Sequence, residues 1–325
     1  MTARIIHLAT DEERALQEAA DALAEGLPVA LPTETVYGLA ADATNPTALT
    51  RIYETKGRPR FNPLICHVAD LAMAREHAVF DPISQLLAEH FWPGPLTLVL
   101  PLREGTPIHP LATAGLDTVG MRVPVGFASA VIRRLGRPLA APSANTSGKV
   151  SPTSAQHVDE DLGEKLTLII DGDAAPVGVE STIVRVEGNT VRLLRPGGIS
   201  ADEIEAVTGM PIVRPEGPAT TIEAPGMLVS HYAPGAPVRL NAVDVEPDEA
   251  LIAFGARDVA GQNKARAVLN LSPAGDLAEA AANLFDYLKK ADAVAPRRIA
   301  VAPIPEEGLG EAINDRLARA AAPRG

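Results

Sequence analysis

Apolar positions recur along the 325-residue chain with two spacings, one typical of helices and one typical of strands. Leucine and alanine repeat at helical spacing through "TDEERALQEAADALAEG", which starts with a Thr10–Glu13 pair typical of a capping box and stops at Gly26. A second segment, "NPTALTRIYETK", has Asn45 as its cap and Pro46 at its first helical position. The same pattern recurs at "DPISQLLAEHFW" and "SPTSAQHV". We therefore predict amphipathic helices in these four stretches.

Short apolar stretches lie between these helices and predict buried strands: "LPVALP", "PLICHV", "PLTLVL", "TVGMRVPV", "RPLAAPS" and "LTLIID". "STIVRVEGNTVRLLRPGG" predicts a hairpin around Gly188 and Asn189, and a short helix with a Ser200–Glu203 capping box follows. Helices interleaved with strands predict an α/β fold, with strand order and pairing direction left open. No apolar run approaches the roughly 18 residues of a membrane span, so we expect no membrane partner.

The alternation stops between residues 210 and 237, a proline- and glycine-rich stretch without periodicity. We therefore predict three parts. Residues 1–209 form an α/β domain with a twisted sheet, residues 210–237 form a Pro-rich linker, and residues 238–325 form a small C-terminal α/β domain that we interpret as Rossmann-like. In that last part the predicted strands "ALIAFGA" and "RRIAVAPIP" alternate with two predicted helices.

Composition narrows the class of protein. The formal net charge is −12, and residues 1–209 carry 17 basic and 26 acidic groups, which argues against a surface that coats nucleic acid. Cys66 is the one cysteine of the sequence, so an internal disulfide and a cysteine-based structural zinc site are excluded. The first residues contain no apolar signal-peptide segment, and we expect a cytoplasmic protein.

Residues that can carry chemistry follow the first predicted strands. In "LPTETVYGLAADA", Thr35 and its neighbours offer hydroxyls and free amides that suit an amino acid or a phosphate, or that simply cap a turn. In "KGRPRFNPLICHV", Lys56 and Arg58 stand in a Gly/Pro loop that cannot be helical past Arg58. We predict that both charges lie on the surface beside Asn62 and His67. Such a loop suits a polyphosphate, with a solvated charged loop as the alternative.

Arginine and hydroxyl groups follow the later strands. Thr118 and Arg122 share one strand face, and a strand Arg122 needs an anionic partner, either an internal carboxylate or a ligand carboxylate. "APSANTSGKVSPT" sets hydroxyls and amides before a helix N-terminus, which can hold an anion. Ser181 in "GVESTIV" and Arg195 in "LLRPGG" are weak signals alone. Together these residues predict a site that positions reactants and stabilises negative charge, as transfer at a phosphate requires.

In their order, these clusters resemble the threonylcarbamoyl-AMP synthase family, which combines a YrdC-like fold with an added C-terminal domain. The resemblance rests on "PTETVYGL", "KGRP", "WPGPLTLVL", "VGMRVP", "APSAN", "SPT", "GVESTIV" and "LLRPG" over about residues 10–200. "HYAP" and "GLGEAINDRLARA" are similar to the two-domain form of the family. The resemblance implies synthesis of threonylcarbamoyl-AMP and pyrophosphate from L-threonine, bicarbonate or CO2, and ATP. It also implies a separate transferase that passes the product to tRNA.

Residue by residue, the resemblance implies two binding regions. The threonine pocket would be lined by Thr35, His67, Arg122 and Ser181. ATP would be held by Arg58, Asn62, Thr118, Ser143, Asn145, Ser151, Arg195, His231 and Tyr232. Lys56 and Arg58 would serve catalysis near the phosphates, and Mg²⁺ would arrive with ATP rather than on a protein metal site. The family's "DGG" is "DGD" at residues 171–173, so the resemblance does not fix the geometry of this loop.

The stretch "APGMLVSHYAP" lies inside the predicted linker. Its flanking prolines fix the chain path, Gly226 permits a turn and Met227 can fill an apolar pocket, while His231 and Tyr232 would face the nucleotide. We therefore expect the linker to act as a lid over the active site, with a plain tether as the alternative. Two other functions stay open, a non-catalytic RNA-binding module and a carbamoyl transferase that uses carbamoyl phosphate. Direct but weak binding of tRNA is left open as well.

Overall fold

The computed structural model describes residues 2–214, 222–227 and 231–323. We call residues 2–214 the first unit and residues 231–323 the second unit. The first unit contains a sheet whose strands are β1 (Arg4–His7), β2 (Val29–Leu31), β3 (Gly38–Asp42), β4 (Ile65–His67), β5 (Leu96–Pro101), β6 (Thr118–Arg122), β7 (Leu139–Ala140), β8 (Leu168–Asp171), β9 (Thr182–Glu187), β10 (Thr190–Arg195) and β11 (Ile212–Val213). Their spatial order is β1-β8-β2-β3-β7-β4-β6-β5-β9-β10-β11.

Helices cover both faces of this sheet. They are α1 (Glu12–Ala24), α2 (Pro46–Lys56), α3 (Leu71–His77), α4 (Pro82–Phe91), α5 (Pro110–Thr113), α6 (Phe127–Leu135), α7 (Ala155–Leu162) and α8 (Ala201–Thr208). Successive residues of one strand enter different cores, because side chains alternate across a strand: Ala30 packs with α2 and α4, whereas Leu31 packs with α1 and α6. A strand buried on both faces is apolar throughout, which explains the continuous apolar stretches of the sequence.

Both pairing directions occur in the sheet. β4 and β6 are parallel, as are β5 and β9, whereas β2 and β3, and likewise β5 and β6, are antiparallel. β9 and β10 form the predicted hairpin, with Gly188 in the left-handed region at a φ of 59°. The first unit is therefore a mixed α/β structure, which confirms the predicted fold class.

The second unit has a smaller sheet of parallel strands. They are β12 (Val238–Arg239), β13 (Glu249–Ala253), β14 (Val268–Asn270) and β15 (Arg298–Val301), in the order β12-β15-β13-β14. Two helices, α9 (Leu277–Ala293) and α10 (Leu309–Ala321), pack against each other and against this sheet. Within the residues described, no helix has both the length and the apolar character needed to cross a membrane.

One hydrophobic core joins the two units. Val36, Val150 and Val179 of the first unit pack in the same cluster as Tyr232 and Phe285. Gly178 allows this approach, since a Cβ at that position would lie 2.3 Å from the carbonyl oxygen of Ala281 in α9. The contact holds the second unit close to the strand ends of the first.

Helix caps and strands differ from the sequence predictions at a few points. The Thr10–Glu13 capping box is wrong: Asp11 is the N-cap and accepts from the backbone of Arg14, because the Thr10 hydroxyl donates to His7 in the turn after β1. The Asn45 cap and the Ser200–Glu203 capping box are confirmed. The elements that were not predicted are the strands β1, β3, β11, β12 and β14 and the helices α3, α5 and α6. β3 follows directly on a polar cluster, and its five buried residues include only one large apolar side chain.

Candidate active site

A cavity lies where several strands of the first unit end. β2, β4, β6, β7 and β10 each lead into it, and the residues before β9 and the segment beside α10 close its other sides. Among the predicted site residues, those that line the cavity are Thr35, Arg58, His67, Arg122, Ser143, Ser181, Arg195, His231 and Tyr232. Residues separated by almost 200 positions in the sequence are thus brought to one place.

Arg122, at the end of β6, is held in a fixed orientation. Its Nε donates to the carbonyl of Gly94 at 3.2 Å, and its Nη1 donates to the Thr35 hydroxyl at 2.8 Å. Its Nη2 lies 2.7 Å from Oε1 of Glu34, an ion pair whose angles are not those of a hydrogen bond. The partner of Arg122 in this structure is therefore an internal carboxylate, the first of the two alternatives left open by the sequence.

His67, at the end of β4, is a buried neutral base beside Arg122. Burial, together with the nearby charge of Arg122, lowers the pKa of His67 to about 3. Its Nδ1 has no hydrogen-bond partner among the described residues. A neutral imidazole with an unused nitrogen at a cavity wall is suited to accept or donate one hydrogen bond to a ligand.

Lys56 and Arg58 lie inside the protein, so the prediction of surface charges is wrong. Lys56 is 2% exposed, and its Nζ donates to the carbonyls of Ser143 and Asn145. Arg58 is 8% exposed and donates from Nε and Nη2 to the carbonyls of Asn62 and Pro63. Lys56 is the last residue of α2, Gly57 caps this helix in the left-handed conformation, and the chain is not helical from there on.

The charge state of these two groups reflects their burial. Burial and the neighbouring Arg58 lower the pKa of Lys56 well below its ordinary value, and burial lowers the pKa of Arg58 to about 10. Arg58 therefore stays charged at neutral pH. In the described part of the chain no carboxylate lies within ion-pair distance of Arg58, and the same holds for Arg195.

Arg195 and Ser181 form a connected pair at the opposite wall. Nε and Nη2 of Arg195 donate to the Ser181 carbonyl at 3.1 and 2.9 Å, and Nη2 also donates to the Ser181 hydroxyl at 3.1 Å. The same hydroxyl lies 2.7 Å from that of Thr97. This network fixes both residues before any ligand binds.

Five predicted site residues do not line the cavity: Lys56, Asn62, Thr118, Asn145 and Ser151. Thr118 lines a small neighbouring pocket together with Ala224 and Pro225. Asn145 donates to the carbonyls of Thr146 and Lys149, and its Oδ1 has no hydrogen-bond partner among the residues described. Ser151 donates to Oε1 of Glu180 at 2.6 Å.

Four described residues of the predicted linker line the cavity: Pro225, Gly226, His231 and Tyr232. Gly226, with a φ of 89°, lies so close to Arg195 that a Cβ would be 2.8 Å from Cδ of that arginine. Met227 packs in an apolar cluster with Ile65 and Ile183. His231 is buried beside the Tyr232 ring at 4.1 Å, and burial lowers the pKa of His231 to about 3. The rest of "MLVSHYAP" before His231, residues 228–230, and residues 215–221 lie outside the described part of the chain.

Two family models cover most of the chain. The model described as "Telomere recombination", for the Sua5, YciO and YrdC proteins, matches residues 21–197, and the model described as "Threonylcarbamoyl-AMP synthase, C-terminal domain" matches residues 199–322. The chain is 42% identical to the threonylcarbamoyl-AMP synthase of Bacillus subtilis over 98% of its own length and 95% of the relative. The chain belongs to the threonylcarbamoyl-AMP synthase family. A relative from Pyrococcus abyssi with the same name is also 42% identical, over 95% of this chain and 94% of that one.

Solved structures agree with the family assignment. The crystal structure of P. abyssi Sua5 complexed with L-threonine matches with a TM-score of 0.89 and 39% identity over 98% of both chains. A P. abyssi Sua5 variant in which a consecutive histidine and tyrosine are replaced by alanine matches with a TM-score of 0.87 and 37% identity, over 98% of this chain and 96% of that one. Full-length HypF matches with a TM-score of 0.52 and 17% identity, over 57% of this chain and 30% of that one, a likeness that shows the fold alone.

Three residues at or beside the site received no predicted role: Glu34, a neighbour of Thr35 in the first polar cluster, Glu180 and Arg316. Glu34 and Glu180 stand inside the family motifs "PTETVYGL" and "GVESTIV", so each motif held a signal that could have found them. Arg316, on α10, donates to Glu180 at 2.7 Å. Arg316 also stands inside a quoted segment, "GLGEAINDRLARA", but its role depends on a contact across 136 positions of the chain, which a single sequence does not show.

Asp173, where the family motif has glycine, adopts a φ of 64°. Aspartate tolerates this left-handed conformation better than most residues. Its loop is held from the first motif: the Tyr37 hydroxyl donates to the Asp173 carbonyl at 2.7 Å and accepts from the Gly172 amide at 3.1 Å. The substitution therefore leaves a loop conformation that glycine would adopt at lower cost.

Proposed function

We propose that this chain synthesises threonylcarbamoyl-AMP and pyrophosphate from L-threonine, bicarbonate or CO2, and ATP. One observation carries the proposal. The cavity joins nine residues from separate motifs, in a chain that matches a threonine-bound relative over 98% of both chains. By reaction class the chain is a nucleotidyltransferase. We place the reaction in the cytoplasm and assign the product to a separate transferase that modifies tRNA.

Threonine occupies the side of the cavity formed by Thr35, His67, Arg122 and Ser181. Arg122 faces the threonine carboxylate. Its guanidinium group also contacts Glu34, whose Oε1 lies 2.7 Å from Nη2 of Arg122. His67 stays neutral, so it does not add a second positive charge beside the amino group. The uncharged form of the threonine amine is the one that reacts with CO2.

ATP is held by the remaining cavity residues, with Arg58 and Arg195 directed at its phosphates. Both guanidinium groups are satisfied only by carbonyl and hydroxyl oxygens, so a phosphate would supply the missing negative charge. Mg²⁺ enters as part of the ATP substrate, whose phosphates are its main ligands. Lys56 acts one step further away, because its Nζ ties the carbonyls of Ser143 and Asn145 together at the cavity wall.

The chemistry follows from these positions. The threonine amine attacks CO2 and loses a proton, which gives a carbamate. A carbamate oxygen then forms a bond to the α-phosphorus of ATP while the bond from that phosphorus to pyrophosphate breaks. Holding the reactants in line is the main demand, and the fixed arginines stabilise the charge that develops on the phosphate oxygens.

The test is a reconstituted reaction with ¹⁴C-bicarbonate, L-threonine and ATP. We expect a labelled adenylate and one pyrophosphate for each product molecule, and no product when threonine is omitted. Release of ADP and phosphate, or a reaction that needs carbamoyl phosphate instead of threonine, would contradict the proposal. Arg122→Gln should lower kcat/KM for threonine about 100-fold, the loss of two charge-assisted hydrogen bonds. Arg134→Gln, at an exposed ion pair, is the matched control.

A further inference from the structure

Arg316 brings a buried positive charge from the second unit to the wall of the cavity. It lies on α10 and is 0% exposed. Its Nε donates to Oε2 of Glu180 at 2.7 Å, and its Nη1 contacts the neighbouring Asp315 at 2.7 Å. Glu180 lines the cavity directly before β9 of the first unit. One of the two carboxylate partners of this arginine therefore belongs to the site rather than to its own helix.

Glu180 is held from two sides. Its Oε1 accepts from the Ser151 hydroxyl at 2.6 Å, and its Oε2 accepts from Arg316. Burial alone would raise the pKa of Glu180, but the charges of Arg316 and Arg195 and the two hydrogen bonds lower it to about 2. The carboxylate is therefore ionised and oriented at neutral pH. Its neighbour in sequence is Ser181, which accepts from Arg195.

The same arginine contacts Tyr232. The guanidinium carbon of Arg316 lies 5.2 Å from the centre of the Tyr232 ring, within the range of a cation–π interaction. The ring also stacks on Phe285 of α9 at 5.5 Å. Tyr232 has a φ of 60°, an unfavourable conformation for an aromatic residue that surrounding contacts must maintain. α10 also accepts from the His231 amide, at the Arg319 carbonyl.

We propose that Arg316 is a positioning residue for the ATP-binding side of the cavity, where it holds the Glu180 carboxylate and the Tyr232 ring in place. The second unit then contributes to the site through one side chain that does not itself line the cavity. The assignment of this side to ATP rests on the proposed function, whereas the positioning of Glu180 and Tyr232 rests on the contacts alone.

Three variants test this role. Arg316→Met leaves a buried carboxylate without its nearest cation and is the variant most at risk of unfolding. The double variant Arg316→Met with Glu180→Gln removes both charges and keeps similar volumes, so we expect it to fold. Arg316→Lys keeps the charge but loses the fixed geometry of the guanidinium group. The matched control is Arg214→Met with Glu311→Gln, which removes an ion pair between Glu311 of the same helix and the exposed Arg214 after β11, with an N–O distance of 2.6 Å.

ATP binding measured by calorimetry and kcat/KM for ATP are the two readouts. We expect both to fall at least tenfold in the double variant, less in Arg316→Lys, and to stay within twofold in the control. Values within twofold of the wild type in the double variant would overturn the proposal. Should the wild type form no threonylcarbamoyl-AMP, the proposed function fails, while weaker ATP binding in the double variant would still support the positioning role.

A pH profile separates positioning from a loss of stability. In Arg316→Met, burial should raise the pKa of Glu180 toward neutrality, although Arg195, Lys56 and His231 also face it. ATP binding by this variant should then change between about pH 5 and 8, and the double variant should lack that change. Profiles of identical shape in the two variants would count against the proposal.

Discussion

Removing the charge of Glu34 tests whether this carboxylate competes with threonine for Arg122. Glu34→Gln keeps the shape of the side chain but takes away the one carboxylate that the described residues place within ion-pair distance of Arg122. At an effective dielectric constant of about 20, unit charges 4 Å apart attract by about 4 kcal/mol. Breaking a buried pair on one side costs about 3–5 kcal/mol, because the other charge stays buried.

We therefore expect Glu34→Gln to lower the free energy of unfolding by about 3 kcal/mol, measured by urea titration with circular dichroism. Threonine binding should become at least fivefold tighter in calorimetry, since the ligand carboxylate no longer shares Arg122. Added threonine should also raise the midpoint of thermal unfolding more in the variant than in the wild type.

The control is Glu13→Gln, which removes the same charge from a pair with Arg134. The N–O distance is again 2.7 Å, but the Glu13 side chain is 75% exposed. Exposed pairs contribute about 1 kcal/mol or less. Equal stability losses in the two variants would refute the buried-pair argument. Weaker threonine binding by Glu34→Gln would refute the idea of competition and would assign Glu34 a supporting role instead.

Three further predictions concern other parts of the molecule. His67 and His231 have pKa values of about 3 in the folded protein, against 6.5 in the unfolded chain. As the pH falls below about 6.5, the unfolded chain therefore binds protons that the folded protein does not, and the stability falls until the pH reaches about 3. At pH 5 the free energy of unfolding should be lower by about 2 kcal/mol for each histidine. Urea titrations at pH 7 and pH 5 should show a smaller difference in this free energy for His67→Gln than for the wild type. An unchanged difference would contradict the prediction. Replacing His231 and Tyr232 by alanine should reduce adenylate formation several-fold in the labelled-bicarbonate assay, whereas unchanged kinetics would favour a plain tether. Gly178→Ala should lower the free energy of unfolding by at least about 2 kcal/mol because the added Cβ clashes with α9. The control is Gly209→Ala, which should cost about 1 kcal/mol, because Gly209 has a positive φ but no atom within 4 Å of the added Cβ. Similar losses in the two variants would argue against close packing of the two units.

Most of the fold could be predicted from local pattern. The helices α1, α2, α4 and α8 and the hairpin of β9 and β10 have apolar spacing and turn residues that agree with their structure. β3 was missed because small residues such as Ala40 and Ala41 carry little strand signal, although both are buried. The order of the strands depends on contacts between distant segments, which a single sequence does not contain.

In the candidate site, too, some features could be predicted from the sequence and others depend on contacts between distant segments. Thr35, Arg122 and Ser181 were predicted as site residues through the resemblance of their motifs to the family, because the polar clusters alone left other interpretations open. The orientation of Lys56 and Arg58 was predicted wrongly, since a charged loop beside a proline is usually solvated. Their burial depends on carbonyl oxygens that accept from them, those of Ser143 and Asn145 for Lys56 and those of the same loop for Arg58. Arg316 stands in the quoted segment "GLGEAINDRLARA", but its contact with Glu180 became visible only in the structure.

The pairing of charges around the cavity matches the charges of the two substrates. Arg122 is neutralised by Glu34, and His67 is uncharged, so the residues assigned to threonine carry no net charge, like the zwitterionic amino acid itself. Arg316 is balanced by Glu180, whereas Arg58 and Arg195 have no carboxylate within ion-pair distance in the described part of the chain. Two buried guanidinium groups without a carboxylate partner destabilise the folded protein, and a bound polyanion would offset this destabilisation. If the two substrates were exchanged, ATP would lie against residues without net charge, and threonine would lie against two cations. Electrostatics alone therefore favours the assignment of Arg58 and Arg195 to the phosphates.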